Sequence, residues 1–269
     1  MTKQRVALVT GASSGFGDLI ATNLIQTGMI VYGTSRQPTP DTPSGVRMRV
    51  LDVSDAASVA ACVGGIIAEA GRVDVLVNNA GRTVSALVEE TAIADAEALF
   101  QTNFFGAARV TAQVLPHMRD QGSGILLFIS SLAGLVGTPG QAYYSATKHA
   151  LEGYAESLYV EVRPLGVNVV LIEPGFFRTA IHDKATPSTV PPIPAYATRR
   201  AALDRKFAES VRRGDDPQKV ARLVTQIVGE AHPRLRYRVG NDAVWVPRFK
   251  QLLPERWFLG VVERRFGGY

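Results

Sequence analysis

Cysteine is almost missing from this sequence, since its 269 residues contain only Cys62. A single thiol cannot close an internal disulfide or build a thiolate metal cluster, which excludes disulfide scaffolds and fits a reducing compartment or indifference to redox conditions. Histidine is scarce too, and its spacing matches neither H-E-x-x-H nor another ligand pattern, so we predict no metal site. The four histidines are His117, His149, His182 and His232.

The sequence also lacks hydrophobic runs long enough to cross a bilayer. Its longest apolar stretches, residues 125–129 and 167–172 among them, are the size of strands. A strand pattern begins at Val6, which leaves no room for a signal peptide. We therefore expect a soluble, cytoplasmic protein.

Positive charge is not spread over the chain. The formal net charge is +5, and residues 232–269 alone carry eight Lys or Arg against three Asp or Glu. The preceding residues are balanced, so the charge does not indicate a nucleic-acid partner.

Strand patterns alternate with helix patterns from residue 5 to residue 240. The strands are continuously apolar, as in a parallel sheet covered by helices on both faces. The length and the hydrophobic content of 46% fit one domain, residues 1–269. We predict an α/β fold with a doubly wound, parallel, seven-stranded sheet, whose active groups gather beyond the carboxyl ends of the strands. Predicted strands cover residues 5–10, 29–35, 47–53, 73–77, 124–130, 167–172 and 235–239, and predicted helices cover residues 16–26, 55–70, 92–118, 141–163, 195–211 and 217–230.

Three glycines separate the first predicted strand from the first helix. Glycine permits positive φ and a close approach of backbone to ligand, so this loop suits a pyrophosphate at the helix N-terminus. An ordinary tight turn is the alternative. The loop reads Thr10-Gly11-Ala12-Ser13-Ser14-Gly15-Phe16-Gly17.

The second strand ends at Ser35 and Arg36, where many NAD enzymes place an acidic residue that binds the ribose 2′-hydroxyl. An arginine can instead bind a 2′-phosphate through charge-assisted hydrogen bonds, which favours NADP(H), unless Arg36 is only a solvated surface residue. The third strand ends at Asp52 and Val53. Asp52 could accept from the adenine amino group or help cap the next helix.

An asparagine pair after the fourth strand and a tyrosine–lysine pair on a helix complete the candidate active site. Asn78-Asn79-Ala80-Gly81 follows the fourth strand and can cradle a cofactor or satisfy the turn backbone. Tyr144 and Lys148 are four residues apart on a predicted helix, which puts phenol and ammonium on one face. A nearby ammonium lowers a phenol pKa, which is normally about 10. Acid–base catalysis and simple packing of a ring beside a lysine are both compatible with this spacing.

The chain resembles the short-chain dehydrogenase/reductase family from about residue 5 to residue 240, because six motifs occur in the family's order. They are Thr10-Gly11-x-x-x-Gly15-x-Gly17, Asn78-Asn79-Ala80-Gly81, Asn103 in Asn-Phe-Phe-Gly, Ser130-Ser131, Tyr144-x-x-x-Lys148 and Pro174-Gly175-x-x-x-Thr179. The resemblance implies a Rossmann-type domain and an NADP-preferring carbonyl reductase/alcohol dehydrogenase, similar to the hydroxysteroid and retinol dehydrogenase branch. A non-catalytic NADP(H)-sensing protein of the same fold is the alternative, although such proteins commonly lose the tyrosine or the lysine.

The resemblance also assigns roles to the catalytic set. Tyr144 would be the general acid or base, and Lys148 would lower its pKa and hold the nicotinamide ribose. Ser131 would orient the substrate oxygen. Asn103 would anchor a water that links Lys148 to solvent, or would only bond backbone. The implied cofactor-binding residues are Gly11, Ser13, Ser14, Gly15, Phe16, Gly17, Ser35, Arg36, Asp52, Val53, Asn79, Ala80, Gly81, Tyr144, Lys148, Pro174, Gly175, Phe177 and Thr179.

Residues 180–213 contain four closely spaced prolines and predict a substrate lid. Apolar side chains there and nearby suggest a site for a steroid, a retinoid, or a fatty or aryl ketone or aldehyde, unless they only pack the lid onto the domain. These side chains are Leu135, Val136, Phe176, Phe177, Tyr196, Leu203 and Phe207.

The C-terminal extension, residues 241–269, mixes basic and apolar residues. Its helical spacing starts at Phe249, and Pro254 should divide it into two pieces. Such a segment packs on its own domain, covers a subunit interface in a homodimer or homotetramer, or touches an anionic membrane surface weakly.

Overall fold

A seven-stranded parallel sheet forms the centre of the protein, in a computed structural model that describes residues 4–179 and 188–266. The strand order is β3-β2-β1-β4-β5-β6-β7, so the order reverses between β1 and β4. The predicted doubly wound sheet is confirmed. The strands are β1 (Val6–Val9), β2 (Ile30–Ser35), β3 (Arg47–Val50), β4 (Val75–Asn78), β5 (Gly124–Ile129), β6 (Val167–Pro174) and β7 (Arg236–Val239).

Helices cover both faces of the sheet. One hydrophobic cluster packs α2, α4 and α5 against the sheet and contains the buried Cys62, and a second cluster packs α1 and α7 on the opposite face. The central strands β1, β4 and β5 are therefore buried along their whole length. The helices are α1 (Gly15–Gln26), α2 (Ala56–Ala70), α3 (Ile93–Phe100), α4 (Ala107–Gln121), α5 (Ala142–Val162), α6 (Ala197–Arg212), α7 (Gln218–Gly229), α8 (Asn241–Leu252) and α9 (Glu255–Phe266).

The helix predicted over residues 92–118 is interrupted. A π-helical turn, Gln101–Gly106, lies between α3 and α4. Gly106 is packed so closely that a Cβ there would lie 2.6 Å from Val53 Cγ2. A π turn widens the helix at one point, a feature often found at functional sites, and here it carries Asn103.

The C-terminal extension begins its helical structure earlier than predicted. The chain leaves β7 through Gly240, whose φ is 99°, and α8 starts at Asn241 rather than near Phe249. The predicted division at Pro254 is confirmed, because this residue separates α8 from α9. Residues 180–187, including Pro187 and the first part of the substrate lid, lie outside the described residues. None of the helices within the described ranges is long and apolar enough to cross a membrane.

Candidate active site

All the predicted cofactor residues lie at the carboxyl edge of the sheet or at the start of α5. Strand pairing explains this placement, since Val9 of β1 is in register with Gly33 of β2 and Val77 of β4. The segments that follow these strands therefore leave the sheet side by side. This edge includes the switch point between β1 and β4, where ligands bind in doubly wound sheets.

The glycine loop has the shape that a pyrophosphate needs. Gly11 and Gly15 have φ values of 67° and 63°, which side-chain-bearing residues rarely adopt. A Cβ on Gly17 would collide with the Gly11 carbonyl oxygen, whereas a Cβ on Gly15 would meet nothing within 4 Å. Open space thus lies at the N-terminus of α1, where backbone N–H groups and the helix dipole favour an anion. The loop fits the phosphates of a dinucleotide.

Thr10 and Asn79 hold this loop against β4. The Thr10 hydroxyl accepts hydrogen bonds from the backbone N–H groups of Asn79 and Ala80, each at 3.0 Å. In return, Asn79 Nδ2 donates to the carbonyl oxygens of Thr10 and Gly11 at 2.9 and 3.1 Å. Asn79 therefore shapes the loop as well as lining the cavity described below. Sequence reasoning gave Thr10 no role, although it opens the glycine motif.

Arg36 follows β2 and is exposed to solvent. In the part of the chain that the structure describes, no carboxylate forms an ion pair with it. The pKa of the Asp52 carboxyl is lowered mainly by the hydrogen bond from the Ser54 hydroxyl, against the effect of burial, and the backbone N–H of Ser54 and the Arg36 guanidinium lower it further. Asp52 accepts from Ser54, while Asp55 caps α2 by accepting from the Ala57 N–H at 2.9 Å. The Arg36 guanidinium is thus exposed just beyond the carboxyl end of β2.

Ser131, Tyr144 and Lys148 meet at the start of α5. Ser131 follows β5, and its Oγ accepts from the Ala133 N–H at 3.1 Å. The Ser131 side chain lies close enough to the Tyr144 hydroxyl to lower its pKa, and both side chains line one cavity. Lys148 lies one helical turn further, with Nζ 5.7 Å from the centre of the Tyr144 ring and donating to the Ile129 carbonyl at 2.8 Å. The structure therefore brings together three of the four predicted catalytic side chains.

Burial dominates the titration of this group. Burial raises the pKa of Tyr144 to about 12, against a smaller lowering by the hydrogen bond with Ser131. Burial also lowers the pKa of Lys148 to about 8, against an opposing effect of the Glu152 carboxylate. Lys148 is not among the groups that shift the pKa of Tyr144 in the protein alone, so its role in lowering that pKa stays a prediction. The desolvated Lys148 ammonium donates to the Ile129 carbonyl. Burial alone accounts for the raised pKa of Tyr144.

Asn103 is buried behind this group rather than in it. Its Oδ1 accepts from the Arg82 N–H at 2.9 Å, and its Nδ2 donates to the Arg82 carbonyl at 2.9 Å and to Thr147 Oγ1 at 3.2 Å. These are the backbone contacts of the alternative interpretation, together with one contact to α5. Asn103 thereby ties the π turn, the loop after β4 and α5 to one another.

The loop after β6 is held by a residue that sequence reasoning missed. The Phe176 N–H donates to Asp242 Oδ2 at 2.7 Å, and a Cβ on Gly175 would collide with the same carboxylate. Phe177 packs edge to face on Phe16, with 5.4 Å between the ring centres. Asp242 carried no sequence signal, because it approaches the loop only once β6 and β7 pair in the sheet.

A cavity of about 470 Å³ opens in front of Tyr144. Its wall combines polar groups of the candidate site with mostly apolar surface from β6, α8 and α9. This arrangement fits an apolar molecule with one polar group near Tyr144. Among the lining residues are Ser131, Tyr144, Lys148, Val136, Phe176, Phe177, Thr179, Val246, Val262, Arg265 and Phe266.

The lid residues predicted to face the pocket mostly support it from behind. Phe207 is buried, with its ring centre 6.1 Å from that of Phe176 and 5.7 Å from that of Phe266. Leu203 is also buried, and Tyr196 donates to Glu89 Oε2 at 2.7 Å, away from the cavity. For these three residues, packing of the lid onto the domain is the better interpretation.

The C-terminal extension packs on its own chain. Phe258 of α9 is buried in a small cluster with Leu132 and Val136 from the segment after Ser131. Val246 and Val262 pack against the same cluster and line the cavity. The two terminal helices therefore form one side of the candidate substrate site.

Comparisons with known proteins agree with this geometry. A family model described as short chain dehydrogenase matches residues 5–189. The chain is 39% identical over 237 residues to a 3-ketodihydrosphingosine reductase of Bacteroides thetaiotaomicron, covering 88% of each protein. It is 33% identical over 259 residues to retinol dehydrogenase 8 of Bos taurus, covering 88% of this chain and 82% of that protein.

Solved structures give the same result. A short-chain dehydrogenase from Streptomyces avermitilis superposes with a TM-score of 0.84 at 37% identity, covering 100% of this chain and 99% of the other. A short chain dehydrogenase/reductase from Burkholderia phymatum in complex with NAD superposes with a TM-score of 0.82 at 26% identity, covering 93% and 95%.

Proposed function

Because the chain belongs to the short-chain dehydrogenase family, an oxidoreductase family with a nicotinamide cofactor, we propose that it interconverts a carbonyl and an alcohol with NADP(H). The observation that carries the proposal is the meeting of Ser131, Tyr144 and Lys148 at a largely apolar cavity beside a dinucleotide-shaped glycine loop. The chain holds the full tyrosine and lysine pair, which favours catalysis over a purely sensing role.

The proposed division of labour follows from the protonation of the site. A bound nicotinamide would supply or accept the hydride. In reduction, Tyr144 donates its proton to the carbonyl oxygen while Ser131 orients the same oxygen, which yields the alcohol. A pKa of about 12 keeps Tyr144 protonated at neutral pH, ready for this direction. Oxidation reverses each step, with the tyrosinate as base.

NADP(H) is the proposed cofactor because Arg36 is exposed at the end of β2, where an NAD enzyme would place a carboxylate. Its guanidinium is close enough to Asp52 to affect the pKa of that residue. A 2′-phosphate bound there would form charge-assisted hydrogen bonds that the 2′-hydroxyl of NADH cannot replace.

The proposed substrate is a bulky apolar ketone, aldehyde or alcohol, of the steroid, retinoid, fatty or aryl type. The apolar side chains of Val136, Phe176, Val246 and Val262 around the cavity support this class. Two relatives are named for the compounds 3-ketodihydrosphingosine and retinol. A panel of such compounds, followed by NADPH absorbance, would identify the substrate.

Tyr144→Phe tests the proposal directly. We expect carbonyl reduction to fall at least about 100-fold, because general acid catalysis typically contributes a factor of 100 to 10,000. NADPH affinity, measured by fluorescence titration, should change less than about threefold. Tyr143→Phe, which alters the neighbouring residue of the same helix, is the matched control and should retain activity. Full activity in Tyr144→Phe would refute the proposed proton transfer.

We also propose that residues 1–269 form one domain and that the protein is a homodimer or homotetramer. Support for one domain comes from α6, α8 and α9, which line or buttress the same cavity as β5 and β6. Exposed apolar residues on the π turn and α5, Phe105 and Val160, offer surface for a subunit contact.

A further inference from the structure

Exposed apolar side chains concentrate on the two C-terminal helices. Half of the large hydrophobic residues exposed among the described residues lie between residues 245 and 261. Both tryptophans of the sequence are among them, 52% and 70% exposed. We call this group the tryptophan patch: Trp245, Phe249, Leu252, Trp257, Leu259 and Val261.

Helical spacing explains why these residues point outward. In α8, Trp245 and Phe249 are four residues apart and their rings stack, with 6.2 Å between centres. In α9, Trp257 and Val261 have the same spacing, while Phe258 and Val262 face the interior cluster. Each helix therefore has two apolar faces, one buried in the protein and one uncovered. Uncovered apolar residues that cluster on two consecutive helices are typical of an interaction site.

Basic residues surround the tryptophan patch. Arg248 lies over the Trp245 ring, with its Cζ 5.1 Å from the ring centre, and Arg256 and Arg264 are exposed on α9. Lys250 is exposed on α8 and donates to the Leu135 carbonyl, while Arg265 is exposed and also reaches the cavity wall. The acidic residues between positions 245 and 266 are only Glu255 and Glu263. The patch thus combines aromatic rings, aliphatic side chains and an excess of positive charge.

The positive charge favours one of two binding partners for the tryptophan patch, a second copy of the chain or a lipid bilayer. A second copy of the chain related by a twofold axis would place the patch against itself and bring the arginines of both copies together. A bilayer with anionic lipids would instead neutralise them, while the tryptophans occupy the headgroup region that they prefer. We propose that the tryptophan patch binds the surface of an anionic lipid bilayer. This proposal concerns binding alone and does not depend on the proposed catalytic function.

The tryptophan patch lies on the same two helices that form one wall of the cavity. Val246 and Val262, on the same two helices, line the cavity in front of Tyr144. A bilayer bound at Trp257 would therefore lie beside the side of the cavity that α8 and α9 form. Only these two helices would then separate the bilayer from the cavity.

The two tryptophans provide the test, because no other residue of the chain gives this signal. We expect vesicles containing phosphatidylserine to shift the tryptophan emission of the full-length protein to the blue and to co-sediment with it. Pure phosphatidylcholine vesicles should do so at least about tenfold less well. Raising the salt from about 0.1 M to about 0.5 M should weaken binding, since it screens exposed charges.

A variant and its control connect the signal to the patch. Leu252→Glu changes a residue that is 79% exposed, and Ile93→Glu, on α3 outside the patch, changes one that is 63% exposed. Both substitutions should leave stability nearly unchanged. Leu252→Glu should weaken vesicle binding about tenfold or more, and Ile93→Glu should not. Both variants should reduce a water-soluble ketone as the unmodified protein does, so loss of binding is distinguishable from failure of the proposed function.

Three results would overturn the proposal. The first is the absence of co-sedimentation and of a blue shift with anionic vesicles. The second is equal binding of Leu252→Glu and the unmodified protein. The third is a blue shift that depends on protein concentration without lipid, accompanied by loss of a dimer in Leu252→Glu, which would assign the tryptophan patch to a second copy of the chain.

Discussion

At the scale of single residues, Arg36 has two interpretations. It either selects NADPH over NADH or is an ordinary solvated arginine. The residue is exposed, and within the described residues no carboxylate pairs with it. Its place directly after β2 puts it at the carboxyl edge of the sheet, where the adenosine of a dinucleotide is proposed to bind. Because NADPH differs from NADH only at the 2′ position of the adenosine ribose, one guanidinium at this position can determine which cofactor is preferred.

Arg36→Ala should weaken NADPH binding about 10- to 100-fold, because hydrogen bonds to charged groups are worth about 1.5–3 kcal/mol. NADH affinity should change less than about twofold. Fluorescence titration of both cofactors measures the two values. Arg119→Ala, which removes an exposed arginine of α4, serves as the control. Equal losses of affinity for NADPH and NADH would mean that Arg36 does not bind the 2′-phosphate.

At the scale of the elements, sequence patterns predicted what depends on local periodicity. The predicted strands match all seven observed strands to within three residues at each end. Continuous apolar runs marked the strands that are buried on both faces, such as β1, β4 and β5. The π turn at Gln101–Gly106 was missed, since it depends on the packing of Gly106 against Val53. The start of α8 and the role of Asp242 were missed for the same reason, as both depend on contacts between distant segments.

In the candidate site, too, some features could be predicted from the sequence and others could not. Ser131, Tyr144 and Lys148 could be predicted because each belongs to a motif at a strand end or on a helix face. The pKa of Tyr144 could not, because spacing along α5 does not reveal how deeply the hydroxyl is buried or that Lys148 binds the Ile129 carbonyl.

Glu152, one turn after Lys148 in α5, leads to a prediction about the pKa of Lys148. Glu152 is buried four residues after it and raises the Lys148 pKa against the larger effect of burial. Arg236 of β7 and Glu173 of β6 face Glu152 from the sheet. Glu152→Gln should lower the Lys148 pKa below its value of about 8 and move the alkaline limb of the kcat/KM profile to lower pH by up to about one unit.

The pH profile of carbonyl reduction measures this change. Glu156→Gln is the matched control, because Glu156 binds the same Arg236 from an exposed position one turn further along α5. An unchanged profile in Glu152→Gln, together with a lower Tm, would give Glu152 a purely structural role.

At the scale of the whole molecule, a buried charge cluster joins α5 to the sheet. Glu173, at the end of β6, is completely buried and binds Arg238 at 3.0 Å and Arg236 at 3.4 Å. Arg236 also binds Glu152 and Glu156 of α5. The cluster connects β6, β7 and the helix that carries Tyr144, and it contains a carboxylate whose burial is not fully offset by its partners.

Burial, followed by the charge of Glu152, raises the pKa of Glu173 from 4.5 to about 7, although Arg238 and Arg236 oppose the change. Between pH 4.5 and pH 7, the folded protein therefore binds more protons at Glu173 than the unfolded chain does. The contribution of Glu173 to the free energy of unfolding is fully present below about pH 4.5 and is lost as the pH rises through about 7.

Comparison with Glu173→Gln isolates this contribution, because an amide does not titrate. We expect the variant to gain stability relative to the unmodified protein between pH 5 and pH 8, by about 1–3 kcal/mol, since one pKa unit corresponds to about 1.4 kcal/mol. Thermal unfolding at intervals of one pH unit measures the difference. Glu263→Gln controls for the loss of one exposed negative charge. A difference that stays constant with pH, or that changes in the opposite direction, would show that Glu173 remains ionised in the folded protein.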